Sequence, residues 1–539
     1  MQEFTLDEQK ILSPFVTNLD SPIFALRNMP EVVMGAMFSR YSRTTKSLRR
    51  VLLDEFIQNK EMGLSEIVSF SKDGSAKDQI IATQKAEEFY DRVLVGYGDD
   101  SVAELGGAHI ACEQVSMIAS KFLEDPRIGI SPLEKSTRYV YFNQKTDGKY
   151  SYYRGAEFLD SKFADEYLKT CDLLFDTYSK LMDPLGKYIM ERFPKDMEVS
   201  DRAYQSTIRA KVCDLLRGLL PASALTNLGL FGNGRAFEYL MLKLYASNLP
   251  ENNAIATGMQ TELGKIIPSF VKRANDLHAK ATQGYLNSTK IAVSKIANEK
   301  LSIKPNDAPE VALVDYDTDA ENKILSAILY SHADLPLFQI KSIVSKFSKE
   351  ERKLLIFEYL SRRQNRRHKP GRALENAYYT FDFLANFGQY RDLQRHRMLT
   401  LERQLLTCNH GFDLPKELIE GGFDLDFKNA MESAKDAYRA IAKHSKDLAQ
   451  YVVPLAYKYR WYAKMNLREV AHLTELRSMQ QGHPDYRRVA QKMFLEVQKV
   501  HPEFTQYIKF VDLKEYSLER LESEKKQDKK LEDLKKKYG

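Results

Sequence analysis

Cysteine is scarce in this chain of 539 residues, and long apolar runs are missing. The four cysteines lie far apart and form no C-x-x-C pair, so the sequence indicates neither a zinc site nor a disulfide framework. No apolar run approaches the ~18 residues of a membrane-spanning helix. The first ten residues, MQEFTLDEQK, lack a basic-then-apolar signal pattern. We therefore expect a cytoplasmic protein with no membrane partner and no metal site.

A strong excess of charge is also missing. Lysine and arginine number 80 against 74 aspartates and glutamates, which leaves a net charge of +6. This charge is compatible with small anionic ligands but too weak to indicate a nucleic-acid partner. Apolar residues make up 43% of the chain, which is enough for packed cores, and the length predicts about two to four domains.

Helical patterns dominate the chain. Residues 43–60 and 348–363 place apolar side chains at helical spacing beneath charged faces. Ser348 and Glu351 fit the S-x-x-E capping box that begins a helix. The pattern predicts helices in both stretches.

Strand patterns are fewer. The stretches TRYVYF (137–142) and YYTFDF (378–383) are β-branched or aromatic and roughly alternating, so they predict strands within an α+β fold. Residues 302–322 are rich in Pro, Asn and Asp and predict a linker. Residues 517–539 are mostly charged and predict a solvated helix or a frayed tail.

An internal repeat divides the chain in two. The first half contains LLPASALTNLGLFGNGR and the second contains VVPLAYKYRWYAKMNLR, and in both an N-x-R triplet follows a proline at the same distance. These triplets are 233–235 and 466–468, and a weaker match sets 101–117 beside 372–388. Two matches in the same order favour a duplication.

Three cation-capable residues, Arg395, His396 and Arg397, follow the second aromatic stretch. They cannot all face one core, so they present two permanent charges and an imidazole to an anionic ligand or to solvent. On the tripeptide alone, a solvated basic turn is the simpler interpretation. However, RDLQRHRMLTLERQ, with Glu375 upstream, resembles the RHR signature of the flavin-dependent thymidylate synthase (ThyX) family, in which the triplet binds FAD.

The string SPLEKSTRY (131–139) resembles the S-x-x-E-x-S-x-R-Y loop with which this family binds the deoxyuridine nucleotide. A carboxylate (Glu134), a hydroxyl (Ser136) and a guanidinium (Arg138) within five residues can hold a sugar hydroxyl and a phosphate together. For the string in isolation, an ordinary polar loop that enters a strand is the simpler interpretation.

The other residues of the family's site are divided between the halves. The first half keeps Arg217, which the resemblance assigns to the nucleotide phosphate, but has 126–128 (PRI) where RHR belongs. The second half keeps Arg477, which the resemblance aims at the pyrimidine N3, but has Gln450 in place of the phosphate arginine. Leu244 replaces Arg477 in the first half. Because the family assembles its site between subunits, the partition implies that each half supplies what the other has lost.

The resemblance implies a full set of ligands. The activity is methylation of dUMP to dTMP, with methylenetetrahydrofolate as carbon donor, FAD as hydride carrier and NADPH as reductant. The catalytic residues implied are Arg477 and Ser136. The substrate-binding residues implied are Glu134, Ser136, Arg138, Arg217, Arg395 and Arg477. The FAD-binding residues implied are Arg395, His396, Arg397, Asn466, Arg468, His472, Asn233 and Arg235.

Some positions depart from the family or stay ambiguous. Asp392 stands where the family has Gln, three residues before RHR, and the usual Gly-His before Glu375 is absent. His472 and His483 are candidate flavin contacts, although a satisfied surface histidine is as compatible with each position.

The predicted architecture is α+β, with two tandem ThyX-like domains that form a pseudo-dimer, each a small antiparallel sheet with helices. The predicted boundaries are 1–300, with an N-terminal extension, then 301–512, and a charged helical tail at 513–539. We expect a homodimer equivalent to the family's tetramer. Other possibilities stay open: action on another pyrimidine nucleotide such as a hydroxymethylation, a catalytically degenerate nucleotide-binding protein, or a basic nucleic-acid binder suggested only by the tail and net charge.

Overall fold

The computed structural model describes residues 4–58, 102–126, 128–303 and 305–538. Residues 59–101 of the predicted N-terminal domain, and Arg127 within its PRI triplet, lie outside this description. None of the described helices is long and apolar enough to span a bilayer.

Nine strands occur in the described residues. They are β1 (Gly107–Ser116), β2 (Ile130–Glu134), β3 (Lys145–Thr146), β4 (Lys149–Tyr150), β5 (Leu225–Asn233), β6 (Val311–Tyr316), β7 (Tyr378–Asn386), β8 (Leu399–Arg403) and β9 (Lys458–Asn466). Helices fill most of the remainder. Up to residue 300 the α-helices are Leu6–Leu12, Glu31–Tyr41, Leu48–Val51, Met117–Glu124, Ala156–Leu159, Ala164–Arg192, Asp201–Leu216, Gly234–Tyr245, Pro250–Leu263, Pro268–Val271 and Leu277–Lys300. Beyond it they are Ala320–Tyr330, Leu337–Val344, Lys349–Leu360, Phe387–Leu393, Lys416–Glu420, Asp424–Ala442, Lys446–Ala449, Leu467–Arg477, Pro484–Val500, Pro502–Thr505 and Leu521–Tyr538.

Two compact units form. The first comprises Met1–Val115, Ala119–Glu134 and Thr226–Ile303; the second comprises Ser116–Ile118, Lys135–Leu225 and Lys304–Gly539. The second unit therefore combines the central part of the first repeat with the second repeat. The sequence boundaries at 300 and 512 stay a prediction.

The sheets carry the duplication. A three-stranded sheet has the order β1-β5-β2, a four-stranded sheet has the order β6-β7-β9-β8, and β3 pairs with β4 in a separate hairpin. Ile130 of β2 faces Gly232 of β5, and Leu399 of β8 faces Met465 of β9. Each residue of β8 lies 269 positions after its equivalent in β2, and each residue of β9 lies 233 positions after its equivalent in β5. The same two offsets hold along both strand pairs, so the two copies share one pairing register. The mixed helix and antiparallel sheet confirm the α+β prediction.

The two copies also meet about a pseudo-two-fold axis within the second unit. Pro221 bridges Pro454, its own equivalent in the repeat. The Ala222 amide donates to the Val453 carbonyl, and the equivalent Leu455 amide donates to the Leu220 carbonyl, both at 2.9 Å. A patch that pairs with its own copy is what an isologous contact requires. The pseudo-dimer is thereby confirmed.

Local predictions had mixed outcomes. The Ser348 capping box, the helix in 349–360 and the strand over 378–383 are confirmed. The prediction of a strand at 137–142 was wrong, because β2 ends at Glu134 and a turn follows. Consecutive side chains Thr137 and Arg138 are both buried there, which a strand with one solvated face does not allow.

The predicted linker and the predicted helical tail had different outcomes. Within the predicted linker 302–322, residues 311–316 form β6, which pairs with the edge of β7. The β-branched and apolar residues of β6 favour a strand, and pairing with β7 stabilises it although Pro and Asp residues flank it. The charged tail does form a helix, Leu521–Tyr538, with no buried residues.

Candidate functional site

Four arginines surround one carboxylate in the second unit. Asp392 lies in the helix Phe387–Leu393, and its Oδ2 accepts from Arg217 Nη1 at 3.2 Å. Burial raises the pKa of Asp392, but Arg217, Arg395, Arg477 and Arg138 together outweigh it and lower that pKa to about 2. Asp392 is therefore ionised at neutral pH. We call these five residues the arginine cluster.

Arg138 is fixed by a buried bidentate ion pair. Its Nε and Nη2 donate to the two oxygens of Asp214 at 2.7 and 2.6 Å, and its Nη1 donates to the Tyr486 hydroxyl at 3.1 Å. Burial alone would raise the pKa of Asp214, but the adjacent Arg138 holds it well below the usual range. Planar bidentate geometry fixes the orientation of this guanidinium.

Arg217 caps the C-terminus of the helix Asp201–Leu216 and is only 4% exposed. Its Nη1 reaches Asp392, whereas its buried Nη2 has no hydrogen-bond partner within the described part of the chain. A Cβ added to Gly388 would lie 3.3 Å from this Nη2. A glycine at 388 therefore leaves one donor of Arg217 open.

Arg477 ends the helix Leu467–Arg477, and its Nε donates to His396 Nε2 at 3.0 Å. Because a guanidinium can only donate, Nε2 must carry the lone pair. The Nδ1 of His396 then carries the hydrogen and donates to Glu469 Oε1 at 2.6 Å. Glu469 thus fixes one tautomer of His396, which in turn orients Arg477.

His396, Glu469 and His472 lie close enough together to suggest a metal site. The lone pair of His396 is already used by Arg477, and His472 Nδ1 accepts from Lys369 Nζ at 2.6 Å. Burial lowers the pKa of His472 to about 4, which keeps this ring neutral. Since both imidazole lone pairs face cations, the donor set does not fit a metal ion.

The RHR triplet alternates in exposure. Arg395 and Arg397 are exposed, whereas His396 is buried. This alternation is how three consecutive cation-capable side chains avoid sharing one core. The two exposed guanidinium groups and the half-buried Arg468 could hold an anionic cofactor.

The N-x-R triplets begin equivalent helices in the two copies. Asn233 accepts from the Ala236 amide at 2.8 Å, and Asn466 accepts from the Glu469 amide at 2.9 Å. Each asparagine is therefore the N-cap of its helix, a structural reason for its repetition. Arg468 and Arg235 each pair with a carboxylate, Glu375 and Glu104 respectively, both at 2.8 Å. Flavin binding by all four residues stays a prediction.

The serine loop is split by its contacts. Glu134 belongs to the first unit, where its buried carboxylate accepts from Lys121 at 3.2 Å. Ser136 belongs to the second unit, where its Oγ accepts from the Arg138 amide at 3.2 Å. This hydrogen bond ties the serine to the arginine that the cluster uses.

His483 is buried, not at the surface, and it has a structural role. It is the N-cap of the helix Pro484–Val500, since its Nδ1 accepts from the Asp485 amide at 3.2 Å. The opposite nitrogen donates to the Asp214 carbonyl at 3.1 Å. Burial and the nearby Arg217 lower its pKa to about 4, so the ring is neutral.

Three functional neighbours were missed from the sequence: Asp214, Glu469 and Tyr486. Asp214 and Tyr486 lie 76 and 348 residues from Arg138 along the chain. Glu469 directly follows the N-x-R triplet, and its place in the first helical turn beside an N-cap was a visible signal. The other two had none, because only tertiary contact brings them to their partner.

Comparison with known proteins agrees with the repeat. The family described as thymidylate synthase complementing protein (Thy1) matches residues 59–269 and again 312–503. The chain is similar to a UPF0159 protein of Chlamydia muridarum, with 48% identity over 97% of this chain and 98% of that protein. It is also similar to a UPF0159 protein of Thermoplasma acidophilum, with 33% identity over 91% of this chain and 97% of that protein.

One solved structure that shares similarity is a UMP/dUMP methylase, PolB, from Streptomyces cacaoi, bound with 5-Br dUMP. The identity is 18% and the TM-score is 0.30, and the match covers 38% of this chain and 96% of that one.

Proposed function

This chain belongs to the Thy1 family of thymidylate synthase complementing proteins, and on that basis we propose that it is a flavin-dependent thymidylate synthase. The proposed reaction methylates dUMP to dTMP with methylenetetrahydrofolate as carbon donor. The observation that carries the proposal is the arginine cluster, in which both repeats contribute cations to one place. The functional unit proposed is a homodimer of this chain.

The charge of the cluster supports a phosphate monoester as ligand. Arg138 is balanced by Asp214, and Arg217 is paired with Asp392. Arg395 and Arg477 bring two further guanidinium groups close to Asp392. A dianionic phosphate suits a place where four guanidinium groups lie close together.

The residues beside the cluster fit a flavin dinucleotide by their chemistry. Arg395 and Arg397 are exposed cations that suit a pyrophosphate, and the neutral His396 and His472 suit an uncharged ring system. When bound, FAD reduced by NADPH would supply the hydride for the reaction. Asn466 and Arg468 would complete the contact set proposed for it.

Within this chain, Arg477 would act on the pyrimidine. A fixed guanidinium next to N3 stabilises the negative charge that develops on the ring and so makes C5 nucleophilic. His396 orients Arg477 by accepting the 3.0 Å hydrogen bond from its Nε. Arg217 would hold the phosphate, and Ser136 would position the pyrimidine.

Asp392 favours a second candidate function, in which the same type of reaction acts on a different pyrimidine nucleotide. An ionised carboxylate inside a phosphate site repels a phosphate and attracts a hydroxyl or amine of the substrate. A pyrimidine nucleotide that presents such a group, for example in a hydroxymethylation, would satisfy Asp392 better than dUMP.

The test is to purify the full chain, record its absorbance near about 450 nm for flavin, and assay dTMP formation from dUMP, methylenetetrahydrofolate and NADPH. Rescue of a thymidine-requiring cell is the matching assay in vivo. Bound flavin with dTMP formation supports the proposal. Bound flavin with no dTMP favours the second candidate, and absence of both overturns the enzyme assignment.

A further inference from the structure

A loop of the second unit, residues 361–372, concentrates positive charge. It follows the helix Lys349–Leu360, reads SRRQNRRHKPGR and contains six lysines and arginines. The sequence has no aspartate or glutamate between residues 359 and 374. We call this segment the basic loop. The proposed reaction assigns no role to its cations.

Arg366 and Arg367 occupy the two central positions of a turn in the basic loop. The His368 amide donates to the Asn365 carbonyl at 3.1 Å, which closes the turn, and the Arg367 amide donates to Asn365 Oδ1 at 2.9 Å. Asparagine favours such turns because its side chain satisfies a backbone amide two residues on. Neither guanidinium group pairs with a carboxylate in the described part of the chain. The turn therefore carries two adjacent positive charges without a counter-charge.

A buried ion pair holds the basic loop in place. Arg363 donates from Nη1 and Nη2 to the two carboxylate oxygens of Glu475, at 2.9 and 2.7 Å, and from Nε to the His368 carbonyl at 2.7 Å. Glu475 lies on the helix Leu467–Arg477 and is 1% exposed. Because bidentate geometry fixes a guanidinium group, the turn is ordered before any ligand arrives, and this lowers the entropic cost of binding.

The basic loop borders the proposed flavin site. Lys369 Nζ donates to His472 Nδ1 at 2.6 Å, and Arg468 Nε donates to the Pro370 carbonyl at 2.8 Å. Burial and, next, the neighbouring Arg366 lower the pKa of Lys369, so these two cations lie close enough to repel each other. A lysine ammonium group has three donors, and His472 takes one of them. Two donors of Lys369 remain for an anion.

The flanks of the basic loop are balanced in charge, whereas its centre is not. Arg362 pairs with Glu358, and Arg372 pairs with Glu375 at 3.0 Å. The three cations at the centre form no ion pair among the described residues. They are Arg366, Arg367 and Lys369. A nucleic-acid strand needs an extended basic groove, so a surplus confined to residues 366–369 fits a smaller anion.

We propose that Arg366, Arg367 and Lys369 bind a short chain of carboxylates, namely the γ-linked oligoglutamate tail of a folate. This site rests on the proposed function, in which a folate donates the carbon. A tail with one carboxylate per glutamate suits cations that follow one another along a turn, whereas a single phosphate suits donors that converge. The tail is remote from the reacting carbon of a folate, so a place at the border of the flavin site suits it.

The experiment measures binding to the full chain by calorimetry. The probes are tetrahydrofolate with one glutamate, tetrahydrofolate with a chain of five, and NADPH. Wild type should bind the longer folate about tenfold more tightly, the gain expected from three exposed ion pairs. Arg366→Ala/Arg367→Ala should reduce this gain to less than about twofold. Salt at about 0.15 M screens charges that do not contact the tail.

The matched control is Arg362→Ala/Arg372→Ala. It removes two charges from the same loop, at positions where each arginine already has a carboxylate partner. The gain from the longer tail should therefore stay within about threefold of the wild-type value. The four arginines are exposed or half-buried, so both variants should fold, and thermal unfolding of each checks this.

The pattern across the two variants decides the proposal. A gain that is lost only in Arg366→Ala/Arg367→Ala supports it. Equal affinity of wild type for the two folates, a gain that survives in this variant, or a gain lost equally in the control overturns it. NADPH binding that weakens in this variant while the folate gain stays assigns the loop to a phosphate and also overturns it.

The assay for dTMP is read separately from these affinities. A tail-dependent gain in a chain that forms no dTMP keeps the folate-tail site and removes the proposed reaction. Formation of dTMP by a chain that binds both folates equally keeps the proposed reaction and removes the folate-tail site.

Discussion

The two copies of the repeat share a backbone but not a charge pattern. Strands β5 and β9 pair with β2 and β8 in the same register, and both are followed by an asparagine-capped helix. In the second copy Asp392 and Arg477 form part of a polar cluster. Their equivalents in the first copy are Phe122, which packs against the apolar core of the first unit, and Leu244, which lies within that core and is 1% exposed.

Two arginines of the first copy are replaced by uncharged residues in the second copy. The first copy provides Arg138 and Arg217, whereas the second has Thr407 and Gln450 at equivalent positions. Gln450 accepts from the Leu406 amide at 3.0 Å and donates to the Asp447 carbonyl at 3.1 Å. The replacement therefore satisfies the backbone locally and needs no charged partner.

The complementary losses have an energetic reason. A buried arginine requires a carboxylate partner, and leaving it unpaired costs several kcal/mol. In the proposed site one copy supplies the cations, so the equivalent charges in the other copy would have no ligand to meet. Replacement by leucine or glutamine then stabilises that copy while the backbone frame stays the same.

The largest expected effect is a difference between substitutions at two equivalent positions, Arg477 and Leu244. Arg477→Ala should reduce methyl transfer by about 10³-fold, because a charge aimed at the developing anion is lost, while flavin stays bound. Leu244→Ala should instead reduce the free energy of unfolding by about 2–5 kcal/mol and leave the activity of the folded protein unchanged. Steady-state kinetics, flavin absorbance and urea denaturation measure the three quantities. Full activity of Arg477→Ala would contradict the assignment.

The next contrast compares Arg138 with Thr407. Arg138→Ala leaves Asp214 buried without its bidentate partner, so we expect a loss of about 3–5 kcal/mol in the free energy of unfolding. Thr407→Ala removes one turn hydrogen bond, from the Asn409 amide at 3.3 Å, and should cost about 0.5–1 kcal/mol. Urea denaturation of both variants checks this. Equal losses would mean that the ion pair contributes no more than a turn.

A pH dependence should belong to the second copy alone, because Phe122, the equivalent of Asp392 in the first copy, cannot titrate. The folded-state pKa of Asp392 is about 2, below the value of about 3.9 expected for the unfolded chain. Its contribution is therefore complete above pH ~4 and lost as the pH falls toward ~2. Wild type should exceed Asp392→Asn by about 2 kcal/mol at pH ~6, and the two should converge in acid. A difference that stays constant with pH would show that Asp392 does not act through its charge.

The smallest expected effect is an equal loss of stability when the equivalent N-cap asparagine is replaced in either copy. Asn233→Ala and Asn466→Ala should each lower the free energy of unfolding by about 1 kcal/mol, because both remove an N-cap of nearly the same length. If Asn466 also contacts flavin, its variant alone should bind the flavin more weakly. A loss confined to one variant in urea denaturation would show that the shared geometry does not mean shared energetics.

The duplication and a set of candidate site residues could be predicted from the sequence, because both leave local traces. The N-x-R triplets, the RHR triplet and the Ser348 capping box each fit within a few residues. Prediction from the sequence failed at 137–142, where tertiary contact buries Arg138 and ends the strand early. It also could not find Asp214, whose role depends on a partner far along the chain.

The chain itself therefore determined the repeat, the helix starts and which half carries each charge, since these follow from residue type and spacing. Only the tertiary structure decided that Arg138 and Arg217 from one copy meet Asp392 and Arg477 from the other. Periodicity is a local property of a chain. The pairing of buried charges depends on how distant segments pack, because burial makes an unpaired charge too costly to keep.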